Sequence, residues 1–164
     1  MNRQNMERVQ KIWQHPLYQK TFRQLQELEQ DRIFCNHTLE HFLDVARLAW
    51  IETLERGVIL EKSVVYAAAL LHDLGRVQEL TEGIPHQEAG AVLAAGILQD
   101  CGFSEEETDM IREAILAHRG LAAEPGTLAE YLYRADKKSR NCFACAASAA
   151  CKWSEEKKNR YIEG

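Results

Sequence analysis

The longest apolar run of this chain is the sequence feature that most limits its possible folds. It covers residues 64–71 (VVYAAALL) and is followed directly by the polar pair His72-Asp73. The run is far shorter than the ~20 residues that a membrane-spanning helix needs. It therefore predicts a helix over residues 62–73 that is buried on every side of a packed domain. Gly75 follows, and glycine favours the left-handed conformation found after helix ends, so we expect this helix to end beside His72 and Asp73.

Helix-period patterns dominate the rest of the chain, and proline occurs at only three positions. We predict an all-α fold, a single globular helical bundle of about seven to nine helices, without linkers or internal repeats. A chain of 164 residues with 46% hydrophobic content suffices for one well-buried domain. The other predicted helices cover residues 3–14, 17–31, 38–56, 86–100, 104–118 and 127–140, with a loop at 120–126 and a charged final helix capped by Ser154.

Composition limits the possible partners. The net charge is −5 and no basic face is evident, which argues against a long nucleic acid as partner. A small anionic substrate is compatible with this charge, because a bound metal ion supplies positive charge locally. The polar N-terminus lacks the apolar core of a signal peptide, so we expect a cytoplasmic protein without a membrane partner. The oligomeric state stays open.

Six polar residues lie on or beside apolar helical faces. For example, Val45 follows His41 by four residues, and Asp136 follows Leu132 by four. A buried imidazole or carboxylate without a partner costs several kcal/mol, so we expect these groups to converge on a cation. The candidate ligands are His41, His72, Asp73, His86, His118 and Asp136.

The ligand types narrow the choice of metal. Imidazole and carboxylate without thiolate suit iron, manganese, cobalt, nickel or zinc better than calcium or magnesium. Six ligands suit two ions, or one tightly and one weakly bound ion. Two ions roughly 3.5–4 Å apart can activate water and stabilise a phosphoryl transfer. His37 precedes His41 by one helical turn and is a competing candidate, as a ligand's partner or a substrate contact.

Five segments resemble successive motifs of the HD-domain superfamily of metal-dependent phosphohydrolases. They are HTLEHFLDVARLA, ALLHDLG, HQEAG, AILAHRG and YRADKKSR, and they occur in the family's order. The resemblance implies an HD-type core over residues 35–140, preceded by N-terminal helices in residues 1–31. By motif, four residues match the ligands of the core metal: His41, His72, Asp73 and Asp136. His86 and His118 match the extra pair of members that hold two ions.

The resemblance also implies a function. It predicts an enzyme that hydrolyses a small phosphorylated substrate, a nucleotide, through a metal-activated water. Asp73 would orient or deprotonate that water, while Arg76, Lys137 and Arg140 would neutralise phosphate charge. Arg119 and Lys138 are expected to face water. Two alternatives stay open: a non-catalytic metal- or nucleotide-binding sensor module, and a two-iron HD-type oxygenase.

The cysteines of the C-terminal segment, residues 141–164, depart from the HD pattern. Cys142, Cys145 and Cys151 have the spacing C-x2-C-x5-C, and Cys35 precedes His41 by six residues. These four thiolates predict a second site, holding either a structural zinc ion or an iron–sulfur cluster. The alternative is a set of reduced thiols packed in an alanine-rich helix, followed by the charged final helix. Cys101 has no such partner and is expected to be a small buried residue.

Overall fold

The computed structural model describes residues 3–120 and 123–162, and this part of the chain contains eight α-helices and no strand. The helices are α1 (Arg3–Gln14), α2 (Pro16–Leu28), α3 (Leu39–Glu55), α4 (Lys62–Leu71), α5 (Arg76–Glu82), α6 (His86–Asp100), α7 (Glu105–Ala117) and α8 (Leu128–Lys138). The all-α prediction is confirmed. The loop predicted at 120–126 includes residues 121 and 122, which lie outside the described residues.

Helix α4 is the centre of the bundle. It contacts α1, α3, α7 and α8, and nearly all of its side chains are buried, as its unbroken apolar sequence predicts. Ala67, Ala68 and Ala69 are fully buried, and their small side chains let the surrounding helices approach closely. Burial of a larger side chain such as Leu71 stabilises the fold by roughly 1.5–3 kcal/mol. No helix within the described ranges is long and apolar enough to cross a membrane.

Side-chain caps set the starts of three helices. Thr38 Oγ1 accepts a hydrogen bond from the backbone N–H of His41 and so places His41 in the first turn of α3. Ser104 and Glu107 form the predicted capping box at the start of α7, with bonds of 3.1 and 2.9 Å. Thr127 caps α8 in the same way as Thr38 caps α3. These caps define the starts of α3, α7 and α8, whereas α4 and α6 begin without a side-chain cap.

The turn after α4 differs from the prediction. Gly75 has φ −63° and ψ −9°, so the left-handed conformation expected there is wrong. Glycine is required for a different reason: a Cβ atom on Gly75 would overlap the backbone of His86 and Gly90. This close approach brings the start of α6 against the end of α4. Helix α5, which follows Gly75, is absent from the prediction because only one of its seven residues, Val77, is buried.

The C-terminal segment also differs from the prediction. Instead of an alanine-rich helix it has two 3₁₀ turns, Cys142–Ala144 and Ser148–Ala150, and Ser154 begins only a single turn. The predicted cysteine-rich helix and charged final helix are therefore wrong for the described residues. The physical reason is burial: Lys158 is the single buried residue among residues 141–162. A short helix without a buried apolar face is not stable in water.

Candidate metal centre

The six predicted ligands meet at one buried centre, where the ends of α4, α7 and α8 approach the starts of α3 and α6. One group of four ligand atoms comes from His41, His72, Asp73 and Asp136, and these atoms all lie within 4.8 Å of one another. The Nε2 atom of His72 lies 2.9 Å from Asp73 Oδ2 and 3.7 Å from Asp136 Oδ1. The Nε2 atom of His41 lies 3.6 and 3.4 Å from the same two oxygens.

A second group shares one residue with the first. Asp73 Oδ1 lies 3.4 Å from Nε2 of His86 and 3.4 Å from Nε2 of His118. The two imidazole nitrogens are 3.0 Å apart. Asp73 thus presents Oδ2 to one group and Oδ1 to the other. A carboxylate in this position is suited to bridge two cations.

Every histidine of the two groups is positioned by a contact at Nδ1, the ring nitrogen that faces away from the centre. In each ring Nδ1 lies within hydrogen-bond distance of an oxygen outside the centre that can accept its proton, and this contact turns Nε2 toward the carboxylates. The acceptors are Ser139 Oγ for His41 (3.2 Å), the Ala69 carbonyl for His72 (2.7 Å), Glu79 Oε2 for His86 (3.0 Å) and the Ile115 carbonyl for His118 (2.5 Å). This arrangement is typical of metal-ligating histidines.

The donor set fits a divalent transition-metal ion. Nε2 of His72 is fully buried and has no well-directed hydrogen bond, although Asp73 Oδ2 lies 2.9 Å away. Four imidazole Nε2 atoms and two carboxylates therefore converge, while two side-chain cations touch single members of the set: Lys137 lies 2.8 Å from Asp136 Oδ2, and Arg140 Nη2 lies 3.2 Å from Nε2 of His41. Imidazole with carboxylate is the ligand mixture of iron, manganese, cobalt, nickel and zinc sites.

The electrostatics of the centre show how strongly it attracts positive charge. Burial on its own would lower the pKa of His72, but the carboxylates of Asp73 and Asp136 outweigh it and raise that pKa to about 10. Burial would raise the pKa of Asp73, yet the neighbouring histidines hold it well below its usual range. Burial lowers the pKa of His86 to about 4. A metal ion at this centre therefore competes with the proton on His72.

His37 lies at the edge of the centre and belongs to neither group. Its Nδ1 donates to Glu29 Oε1 at 2.6 Å, and its Nε2 lies 3.5 Å from Asp73 Oδ2. Burial lowers the pKa of His37, so the ring is neutral near pH 7 and Nε2 has a free lone pair. The prediction left His37 open, and the structure places it beside the cavity above the centre.

A cavity of about 340 Å³ opens onto the two aspartates, and cations surround its mouth. The predicted phosphate contacts Arg76, Lys137 and Arg140 all line it. Three further cations line it as well: Arg32 and Lys152, which the sequence did not single out, and Arg119, which was expected to face water. The Arg119 side chain is exposed to water, as expected, and its Nη1 donates to Glu79 Oε1 at 2.9 Å.

Two of the predicted cations have fixed positions. Arg76 donates to Glu29 and Glu79, each at 3.3 Å, so these carboxylates hold its guanidinium beside the cavity. Arg140 donates to the Asn36 carbonyl at 2.9 Å, and its Nη2 lies 3.2 Å from Nε2 of His41. Nε2 of His41 can bind a metal ion only when Arg140 Nη2 moves away from it. No sequence signal could have found Arg32 or Lys152, because both lie outside the helices.

The predicted thiolate residues lie in one place but do not form a single-ion site. Cys35, Cys142, Cys145 and Cys151 all line a second cavity, of about 360 Å³, next to the first. All four are free thiols, and no three of these described sulfurs lie within 4.8 Å of one another. A structural zinc ion would therefore require these sulfurs to move closer together, and the thiolate site stays a prediction. Cys101 is 3% exposed, as predicted.

Comparison with known proteins connects this geometry to a family. The family model described as HD domain matches residues 38–141. A crystal structure described as a predicted HD superfamily hydrolase, from an uncultured Thermotogales bacterium, superposes with a TM-score of 0.61 at 25% identity. The superposition covers 85% of this chain and 79% of that one.

Three relatives are similar in sequence. A protein of Clostridium beijerinckii, described only as an uncharacterized protein, is 41% identical over 133 residues, which are 81% of this chain and 83% of that protein. Ribonuclease Y of Thermoanaerobacter pseudethanolicus is 32% identical and ribonuclease Y of Acetivibrio thermocellus 27% identical, each over 74% of this chain. The match spans only 22% and 21% of the two ribonucleases.

Proposed function

This chain belongs to the HD-domain family of metal-dependent hydrolases, and from that premise we propose that it is a phosphohydrolase acting on a small phosphorylated substrate, a nucleotide. The observation that carries the proposal is the position of Asp73, whose two oxygens face two separate groups of imidazoles. His41, His72, Asp73 and Asp136 would hold one divalent transition-metal ion. Asp73, His86 and His118 would hold a second. When bound, such ions lower the pKa of a water molecule and draw negative charge from phosphoryl oxygens.

The residues around the cavity supply the remaining chemistry. The carboxylate of Asp73 stays ionised, because its pKa lies well below the usual range, and so it can accept a hydrogen bond from the attacking water. Nε2 of His37 is a second acceptor, and Glu29 orients it. Arg76, Lys137 and Arg140 would bind the non-bridging oxygens of the phosphate. Hydrolysis of a phosphate ester or anhydride requires both an acceptor for the attacking water and cations that stabilise the charge on the phosphate oxygens.

The volume and the lining of the cavity support a nucleotide as the substrate. A volume of about 340 Å³ falls in the range of small-molecule sites. Phe34 and Trp153 line the cavity together with the cations. A nucleobase can stack on such rings while its phosphates face the aspartates and the arginines.

The proposal is tested by elemental analysis of protein purified without oxygen, followed by a phosphate-release screen. The panel contains mononucleotides, dinucleoside polyphosphates and a short RNA. We expect His72→Ala and Asp73→Ala each to abolish hydrolysis and to lower the metal content. Asp109→Ala, which removes an exposed carboxylate of α7, is the matched control and should change neither. Full activity in metal-free protein would refute the proposal.

Other outcomes would identify the alternatives. Clear thermal stabilisation by nucleotides without turnover would favour a binding module. Oxygen consumption by a reduced two-iron form would favour an oxygenase. A second candidate substrate is RNA, which the names of two relatives suggest, although the matched region is about a fifth of their length. Cleavage of the short RNA without phosphate release from nucleotides would favour it.

A further inference from the structure

The C-terminal segment has no hydrophobic anchor of its own. Among residues 141–162 no apolar side chain is buried, and the ordered contacts are polar. Asn159 donates to the carbonyls of Lys137 and Arg140 at 2.8 and 2.7 Å, and Lys158 donates to the Ser148 carbonyl at 2.7 Å. A segment of this size without an apolar core needs a cross-link or a bound inorganic group to be well ordered.

The segment supplies three of the four thiols that line one cavity. Cys142, Cys145 and Cys151 belong to the segment, and Cys35 comes from the loop before α3. The cavity has a volume of about 360 Å³, and none of its thiols is used in a disulfide. Four cysteines around one cavity are the ligand set of a tetrahedral metal ion or of an iron–sulfur cluster.

The spacing of the sulfurs separates these two possibilities. A zinc ion bound to four thiolates at about 2.3 Å holds their sulfurs about 3.8 Å apart. Three such sulfurs would lie well within 4.8 Å of one another, and no three of the four described sulfurs do. An iron–sulfur cluster distributes its thiolates over two or more iron atoms, so its cysteine sulfurs are more widely separated. The described positions of the sulfurs thus do not match a tetrahedral zinc site, whereas the wider spacing of a cluster is compatible with four thiols that line one cavity.

The surroundings of the thiols suit an anionic cluster. The backbone N–H of Trp153 donates to Cys151 Sγ at 3.5 Å, and N–H groups directed at sulfur are a feature of cluster sites. Arg140 and the buried Lys158 line the cavity, and their charges offset those that thiolates bring. Two carboxylates, Glu40 and Asp44, lie on the same wall and balance these cations before the cluster binds.

We propose that Cys35, Cys142, Cys145 and Cys151 bind an iron–sulfur cluster that fastens the C-terminal segment to the helical core. The site uses none of the six His/Asp ligands, although His41 also lines its cavity, and the proposal does not depend on the proposed hydrolysis. It does affect the neighbouring cavity, because Cys35, Cys151 and Trp153 line both cavities. Binding of the cluster would therefore order one wall of the substrate cavity.

The test uses the full chain, purified without oxygen and reconstituted with ferric iron, a thiol reductant and sulfide, so that ferric iron supplies the oxidising equivalents that the cluster needs. We expect acid-labile sulfide and at least as much iron, because the His/Asp centre can bind iron as well, together with broad visible absorption that bleaches on reduction. Acid-labile sulfide is the decisive measurement, because iron at the His/Asp centre binds without it. Reconstituted protein that contains no sulfide would overturn the proposal, and so would one zinc ion per chain held by the cysteines.

Variants locate the cluster. Cys142→Ser/Cys145→Ser should lose nearly all of the sulfide, whereas Cys101→Ala, which removes the buried fifth cysteine, should keep it. His72→Ala should also keep it, which separates this site from the His/Asp centre. Circular dichroism checks that each variant is folded, and Cys145→Ser, at an exposed position, replaces the double variant if that one is not. Sulfide retained in the folded cysteine variant would show that the cluster lies elsewhere or is adventitious.

Discussion

The His/Asp centre and the C-terminal segment lie side by side, yet they are built in opposite ways. Each ligand of the centre lies at or near a helix end, and each of the four histidine rings is positioned by a hydrogen bond at Nδ1. The segment has only short turns and polar contacts. The core thus arranges its ligands before any ion binds, whereas the segment, under the proposal made above, would depend on the cluster that it binds.

The two regions nevertheless meet in one cavity. Lys152 and Trp153 of the segment line the cavity together with Asp73 and His118 of the core. If this cavity binds the proposed substrate, binding would depend on the order of both regions. Changes in the core and in the segment should have effects of very different size, and the following three predictions use that difference.

The largest effect is expected where α4 and α6 are closest. A Cβ atom in Gly75→Ala would overlap the backbone of His86 and Gly90, so α6 must shift and carry His86 away from the centre. We expect a loss of about 3 kcal/mol in the free energy of unfolding, measured in urea. Gly96→Ala is the matched control: it has open space and helical geometry, and should stabilise by roughly 0.5–1 kcal/mol. Equal stability of the two variants would contradict this account of the turn.

An intermediate effect is expected behind His86. Glu79 Oε2 accepts from Nδ1 of His86, and its charge also holds Arg76 and Arg119. Glu79→Gln keeps the shape but removes the charge, so metal affinity of the group containing His86 and His118 should fall about tenfold. Competition with a chelator measures this. Glu82→Gln, exposed on the same helix, should leave the affinity unchanged; an equal loss there would indicate a general charge effect.

The smallest effect on the whole fold is expected in the segment. Asn159→Ala removes two hydrogen bonds to the end of α8, which should cost about 1 kcal/mol locally and leave the unfolding of the core unchanged. Hydrogen exchange should become faster over residues 141–162 but not in α4. Lys157→Ala, at an exposed neighbouring position, is the control. If the core melts at a lower temperature in Asn159→Ala, the segment is part of the cooperative fold and the contrast between the regions fails.

The sequence predicted the core well because burial and helical period agree there. The all-α fold, the buried helix α4 and the capping box at Ser104 and Glu107 could all be read from local patterns. The prediction failed at α5 and in residues 141–162, where few or no apolar side chains are buried. In such segments the conformation depends on contacts with distant residues, which a local pattern does not contain.

The same division applies to the site. The sequence by itself determined which six residues are candidate ligands, because a histidine or aspartate on an apolar helical face needs a partner. Only the tertiary structure decided that Asp73 faces both groups and that Glu79 orients His86. It also decided that Arg32, Arg119 and Lys152 join the cavity. The physical reason is that ligand type follows from chemistry at one position, whereas direction and distance follow from how α3, α4, α6, α7 and α8 pack.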